Sequence, residues 1–305
     1  MRSERGLAAV TAILVVAVAA SAATLMLAQQ SAMLDQTLLI ASRAQAEQYL
    51  RAGFDWARGV LAEDAATSSF DSLDEGWAQP IAGLPVERAV VAGTIADEQG
   101  KFNLNNLLRN PVEASPEDVA IFRRILASQG LAPELADAVV DWIDANDDLT
   151  STAGAENAYY LSLARPYRAA NVPLVQIEEL YRVRGFDAAA IRKLRPHVSA
   201  LPGRTTVNIN TAGEVVLAAL LPAMPGDEIA KLVSGRRGKP IKAKEAIAAW
   251  AKNVPAASLA GLDVKSAFFM VRIQVSQDDA ELAAEALVRR ADNGVPAIIW
   301  RRPRY

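Results

Sequence analysis

The apolar positions of this chain change their spacing twice, and each spacing predicts a different element. Residues 7–34 carry no charge at all, and about 20 apolar residues suffice to cross a bilayer as a helix. Beyond them Leu39, Ala46, Leu50, Phe54, Ala57 and Leu61 recur at three- and four-residue steps, while Asp35, Arg43, Glu47 and Arg58 fall mostly elsewhere. That is the pattern of an amphipathic helix. No Gly or Pro stands between Gly6 and Gly53, so both patterns merge into one predicted rod over 7–64, about 85 Å long at 1.5 Å per residue. Gly53 and Gly59 are soft points in it, not ends.

Residues 63–86, rich in Ser, Asp, Gly and Pro, read as a loop. Weak alternation predicts a strand over 87–95, DEQG (97–100) a turn, and KFNLNNL (101–107) its hairpin partner. Helical signals then dominate. Ser115 is placed to cap PEDVAIFRRILAS, with Pro116 at the first position and Gly130 past the end. Further helices are predicted at 133–147, 173–185, 187–198, 213–221, 226–234 and 243–252. Strands follow at 267–277 and 295–303. Residues 281–290 have helical composition, yet Leu282, Ala284, Ala286 and Val288 share one face of a strand. A strand there completes a three-strand meander, so a strand is the expectation. The class is α+β.

Composition narrows the function. The chain has 305 residues, 51% hydrophobic and 22% charged, which is globular and not disordered. A net charge of −3 argues against a nucleic-acid binder that works by bulk electrostatics. There is no cysteine, which removes disulfides and thiolate chemistry. His197 is the single histidine, so any metal must be held by oxygen; its place beside Pro196 at a helix end suits a structural or surface role. No G-x-S-x-G, P-loop or dinucleotide fingerprint is present, and no catalytic residues and no enzymatic activity are expected. Trp142, Trp250 and Trp300 read as packing residues, and the closing RRPR as a charged, proline-blunted sheet edge.

The sharpest chemical signal is acidic. Asp144, Asn146 and Asp148 repeat at every second position and Glu156 arrives from the far side of a loop. Ca²⁺ takes six to eight oxygens, and such a loop can supply them. It is not an EF-hand, since the mid-loop glycine is missing and Glu156 comes one position late. The alternative is a solvated acidic loop. Against that stands the helix dipole, which disfavours uncompensated acids near a helix C-terminus.

Arg2 and Arg5 precede the apolar run, placing the N-terminus on the cytoplasmic side. A secretory signal peptide cut around Ala20, Ser21 and Ala22 is one reading, but the unbroken rod favours another. A short basic leader ending in Gly6, followed at once by an apolar helix, resembles type IV pilins and type II secretion pseudopilins. The resemblance implies cleavage by prepilin peptidase after Gly6 and N-methylation of Leu7, although the family usually has phenylalanine there. Most members carry glutamate where this chain has Thr11; a neutral residue resembles the protein K family of minor pseudopilins, placed at the filament tip. DEQGKFNLNN, DWID, GAE, PYRAAN (166–171) and NINTA extend that resemblance along the chain.

This resemblance implies a leader (1–6), a transmembrane and amphipathic helix (7–64) and a pilin-like domain with an antiparallel sheet (65–111, 200–210 and 263–305). A large all-helical insertion domain (112–199 and 211–262) would complete the chain. It implies Ca²⁺ in the helical part, with Asp144, Asn146, Asp148, Glu156 and Asn171 as ligands and Asp141 and Asp147 in reserve. The implied setting is single-pass anchorage in the inner membrane with the soluble part in the periplasm. The implied partners are two other minor pseudopilins, the major pseudopilin, prepilin peptidase and the exported substrate. The implied role is to start pseudopilus assembly for export across the outer membrane. The rival reading is a membrane-anchored DNA receptor, because residues 207–247 resemble a helix-hairpin-helix module, with a periplasmic hydrolase more remote. Asp227 and Glu228 stand where a phosphate would sit, although Arg236, Arg237, Lys239, Lys242 and Lys244 are nearby, so nucleic acid is not the expected partner.

Overall fold

A computed structural model describes residues 2–251, 254–291 and 294–304. Helix α1 (Arg2–Thr67) is unbroken, about 100 Å long. Its early part, from Ala9, is long and apolar enough to cross a membrane, and none of its most apolar stretch is buried. Gly6 and Leu7 lie on its first turns, and their surroundings fall outside the described residues. Farther along, Ala46, Leu50, Phe54, Ala57 and Leu61 are buried, as the periodicity predicts. Leu39 is not: it stays half exposed. Ser42 already bonds Asp278 at the tip of a hairpin, so Leu39, one turn earlier, has passed the end of the sheet.

That sheet takes β1 (Ile81–Val86) and β2 (Ala89–Asp97) from before the helical region, and three strands from after it. Between these lie β3 (Phe102–Asn103), β4 (Leu108–Asn110), β5 (Glu113–Ala114), α2 (Pro116–Ser128), α3 (Leu135–Ile143), α4 (Asn157–Leu161) and α5 (Ala188–Leu194). They are followed by β6 (Val198–Ser199), β7 (Val207–Asn208), α6 (Glu214–Leu220), α7 (Gly226–Gly235), α8 (Lys244–Trp250), α9 (Ala256–Leu259) and β8 (Leu262–Asp263). The expected helix 243–252 runs past Trp250 into Lys252, which lies outside the described residues. Strands β9 (Phe268–Gln277), β10 (Ala280–Arg289) and β11 (Ala297–Pro303) complete the order β1-β2-β9-β10-β11, antiparallel throughout. The architecture is α+β, with a long N-terminal helix, an antiparallel sheet and a large helical insertion.

One sheet face packs Phe269, Val271, Ile273, Val275, Ala284, Ala286 and Val288 against α1. The opposite face meets the helical region through Phe268, Met270 and Leu287 around Leu201. A charged ladder reinforces that contact: Glu285, opposite Arg272 and Arg302 in register, bonds both, and Arg302 reaches on to Glu178.

Four expectations change. The loop over 63–86 contains β1, which tolerates Pro85 because it is an edge strand. A bulge between Ile81 and Leu84 uses Gly83 at φ +83°. Residues 101–107 do not pair with β2, whose hairpin partner is β1; Phe102 and Asn103 pair in parallel with Val198 and Ser199 instead. The reason is polar. Asn103, Asn105 and Asn106 are buried and bond the backbone at Leu201, Leu174 and Thr205. The expected helix 173–185 is a 3-10 turn (Ile177–Arg182), because Glu179 folds back to accept from Val175 N and Gln176 N. Elsewhere α2 starts at Pro116, with Ser115 at the capping position donating to Asp118 (2.6 Å) instead of accepting from backbone.

The two rod glycines differ. A Cβ on Gly53 would stand 3.0 Å from Ile273 Cγ2, whereas one on Gly59 meets nothing within 4 Å. Gly53 therefore sets how closely rod and sheet approach. Gly53→Leu should cost about 1–3 kcal/mol through overpacking, and Gly59→Ala should add about 1 kcal/mol through helix propensity. Denaturant unfolding of the full chain in detergent micelles would read both, and two changes of equal sign would contradict the assignment.

Candidate metal centre

Helix α3 ends at Ile143 with Asp144 as its extended C-cap, and its last turns are buried throughout. Asp141 and Asp144, three apart on the helical repeat, emerge on the same side. Glu156 enters from the loop before α4, and the three residues bring one carboxylate oxygen each within 4.8 Å of the others. All three are buried, Asp141 completely. Local bonds shape the loop: Asn146 N donates to Asp144 Oδ1 (3.1 Å), Asp148 N to Asn146 Oδ1 (2.7 Å) and Thr150 N to Asp141 Oδ1 (2.9 Å). Gly154 lets the returning loop pass, since a Cβ there would collide with the Asp141 carboxylate.

Asn171 reaches the same place from a third segment. Its backbone is left-handed (φ 50°), a conformation asparagine tolerates. Its N–H donates to Trp142 O (3.0 Å) and its Nδ2 to Asn146 O (3.2 Å). Underneath, Trp142 stacks edge-on against Tyr160 and Tyr167, which fixes the segments carrying Glu156 and Asn171.

The donor count does not close. Asp141 Oδ2, both oxygens of Glu156 and Asn171 Oδ1 are buried without any hydrogen-bond partner. A buried acceptor left unpaired costs roughly 1–3 kcal/mol, more when charged. Burial, then the charges of Asp144, Asp141 and Asp147, pushes the Glu156 carboxyl up to about 8. Burial and the neighbouring Asp141 and Asp148 push Asp144 to about 6, and burial raises Asp141 as well. Carboxylate and amide oxygens that lack donors and converge from three segments fit a hard, oxygen-seeking cation.

Of the expected ligands, Asp144 and Glu156 stand together, and Asn171 is tied to the same loop through Trp142 O and Asn146 O. Asp148 is exposed and lies outside the three-carboxylate group; Asn146 spends its side-chain oxygen on the Asp148 amide. Asp141, a reserve in the sequence reading, is one of the three central acids. Its three-residue spacing from Asp144 on a helix is the signal that marks it. Asp147 is exposed and accepts from Asn157 Nδ2 (2.5 Å). The basic set at 236–244 is partly structural: Arg236 is buried and donates to Ile209 O (2.6 Å), and Lys244 pairs with Asp263.

Comparison with known proteins places this chain in a class. Two parts of the family model described as type II secretion system (T2SS), protein K, match residues 100–203 and 207–272. The type II secretion system protein K of Pseudomonas aeruginosa is 36% identical over 237 residues, 74% of this chain and 70% of that protein. Its namesake in Aeromonas hydrophila is 30% identical over 96% of this chain and 95% of the relative. In fold the chain is similar to one from the crystal structure of the GspK-GspI-GspJ complex of the enterotoxigenic Escherichia coli type 2 secretion system. The TM-score is 0.79 and the identity 24%, covering 88% of this chain and 99% of that one. The matches define a type II secretion component. The chain belongs to the type II secretion system protein K family.

The raised Glu156 carboxyl makes a signed prediction for the metal-free chain. Its folded-state value, about 8, exceeds the ordinary 4.5, so the folded state holds the proton more tightly. The stability that this group contributes is fully present below pH 4.5 and is lost as pH rises through about 8. In chelator, Glu156→Gln should therefore melt above the parent at pH 8–9, with the gap closing toward pH 4.5. A gap that widens on acidification would refute this.

Proposed function

We propose that this chain is a minor pseudopilin that caps the type II secretion pseudopilus, helps start its assembly and so supports protein export across the outer membrane. The observation that carries the reading is the protein K family match across residues 100–272, joined to a helix that is both an apolar surface and a core element. The anchor lies in the inner membrane with Arg2 and Arg5 on the cytoplasmic side, and the folded part stands in the periplasm. Prepilin peptidase removes residues 1–6 and Leu7 is N-methylated. Two other minor pseudopilins pack beside it, as the GspK-GspI-GspJ complex suggests by analogy; the major pseudopilin lies below and exported protein is within reach. Thr11, where most pseudopilins carry glutamate, suits a subunit with no neighbour above it.

Intact-mass analysis of the protein isolated from membranes tests this. The expected mature chain starts at methylated Leu7. A chain starting near Ala23 would have lost its anchor, and the pseudopilin reading with it.

The acidic centre belongs to the same proposal: Asp144, Glu156, Asn171 and the adjoining Asp141 hold Ca²⁺, with Asn146 and Asp148 shaping and completing the loop. Support comes from the four donorless buried oxygens and the all-oxygen ligand set. A ligand that binds only the folded state stabilises it by about 2.7 kcal/mol at a hundredfold excess over Kd. Calcium should thus raise the melting temperature of the full chain over that in chelator, and Glu156→Gln or Asp144→Asn should shrink the difference. Melts indifferent to calcium would leave an ordinary acidic loop.

A further inference from the structure

A second group of carboxylates meets where the rod ends. Asp64 lies on the last turns of α1, Asp71 and Glu75 on the segment leading to β1, and one oxygen of each lies within 4.8 Å of the others. Arg290, just past β10, donates to Asp64 Oδ2 (2.5 Å), Asp71 Oδ2 (2.5 Å) and Ser266 O (2.7 Å). Ser266 N also donates to Asp71 Oδ2 (2.6 Å). Glu75 Oε2 accepts from Ser72 N (2.7 Å) and Trp77 Nε1 (3.1 Å).

Asp71 is wholly buried, and its other oxygen, Oδ1, has no donor. The neighbouring buried Asp97 shows what a donor-satisfied carboxylate looks like here. Its Oδ1 accepts from Gln99 N, and its Oδ2 from Thr211, Ser266 and Asn208. Among the described residues, the cation hydrogen-bonded to these three carboxylates is the Arg290 guanidinium, which leaves a surplus of two negative charges within the bonded group.

We propose that Asp64, Asp71 and Glu75 form a second divalent-cation site, with Asp71 Oδ1 as its buried ligand. Arg290 occupies Asp64 Oδ2 and Asp71 Oδ2, which leaves the buried Asp71 Oδ1 without a donor and open to an ion. The surplus charge matches a divalent cation, and the all-oxygen set selects Ca²⁺ or Mg²⁺ over softer metals. Asp64 and Glu75 are only partly buried, so water completes the shell from the open side. An ion here ties the end of the rod to the segment leading into the sheet, beside the Arg290 bond to Ser266. The inference does not rest on the calcium centre at Glu156.

The test is a calorimetric titration of the metal-freed full chain in detergent micelles with Ca²⁺. The Glu156→Gln chain is compared with the same chain also carrying Glu75→Gln or Asp64→Asn. Both changes preserve shape, sit on different elements and leave Asp71 and Arg290 in place. One site that persists in Glu156→Gln should weaken at least tenfold with each second substitution. Titrations unchanged by both second substitutions overturn the proposal. So does a Glu156→Gln chain that binds no calcium, since the cluster would then be balanced by a proton.

Discussion

The chain leaves the sheet at Asp97 and returns at Phe268, and the fold depends on holding those two points together. Strands β2 and β9 are hydrogen-bonded neighbours, with Asp97 opposite Phe269, although residues 98–267 intervene. The pin is polar. The buried Asp97 carboxylate collects donors from Gln99 on the way out, from Asn208 and Thr211 in the middle, and from Ser266 on the way back. Burial raises its carboxyl to about 6 against the pull of those donors. Asn208 also bonds the Asp71 carbonyl, so the segment leaving the rod is drawn into the same knot. Long loop closure is entropically costly before its contacts form, and this knot is where the cost is recovered.

Elements whose apolar pattern is local were legible from sequence, and those defined by distant polar contacts were not. The rod's apolar face was plain because Ala46, Leu50, Phe54, Ala57 and Leu61 follow one helical stripe. Strand β10 has helical composition, yet Ala284, Ala286 and Val288 alternate toward α1; tertiary context overrides propensity in such cases. By contrast, Asn103, Asn105 and Asn106 look like turn or surface residues in sequence. Their partners lie near residues 174 and 201–205, and nothing within a local window announces that. Arg290 is a further case, meeting Asp71 across 219 positions and Asp64 across 226.

The candidate metal centre was partly legible for the same reason. Asp144 and Glu156 stand out in the sequence because one loop carries both, and the structure brings their carboxylates together. Alternation gave equal weight to Asn146 and Asp148, but a short loop must also satisfy its own amides. Asn146 and Asp144 each spend an oxygen on the amide two residues on, which turns Asp148 outward. Asp141 was undervalued because it belongs to the helix and not to the loop.

The two acidic clusters stand at different kinds of junction along the chain. The rod and the sheet need no ion, because Phe54, Leu61 and their partners form a continuous apolar interface. The helical region has its own core, but its short helices leave many backbone ends to be satisfied by turns and side chains. There the donorless oxygens of Asp141, Glu156 and Asn171 lie at the end of α3 and on two loops that the Trp142, Tyr160 and Tyr167 rings also hold together. Asp64, Asp71 and Glu75 instead stand at the joint, where apolar packing gives out between one core and the other. Both acidic sets thus lie where an ion would bridge segments instead of filling a core, at points that hydrophobic burial alone leaves separate.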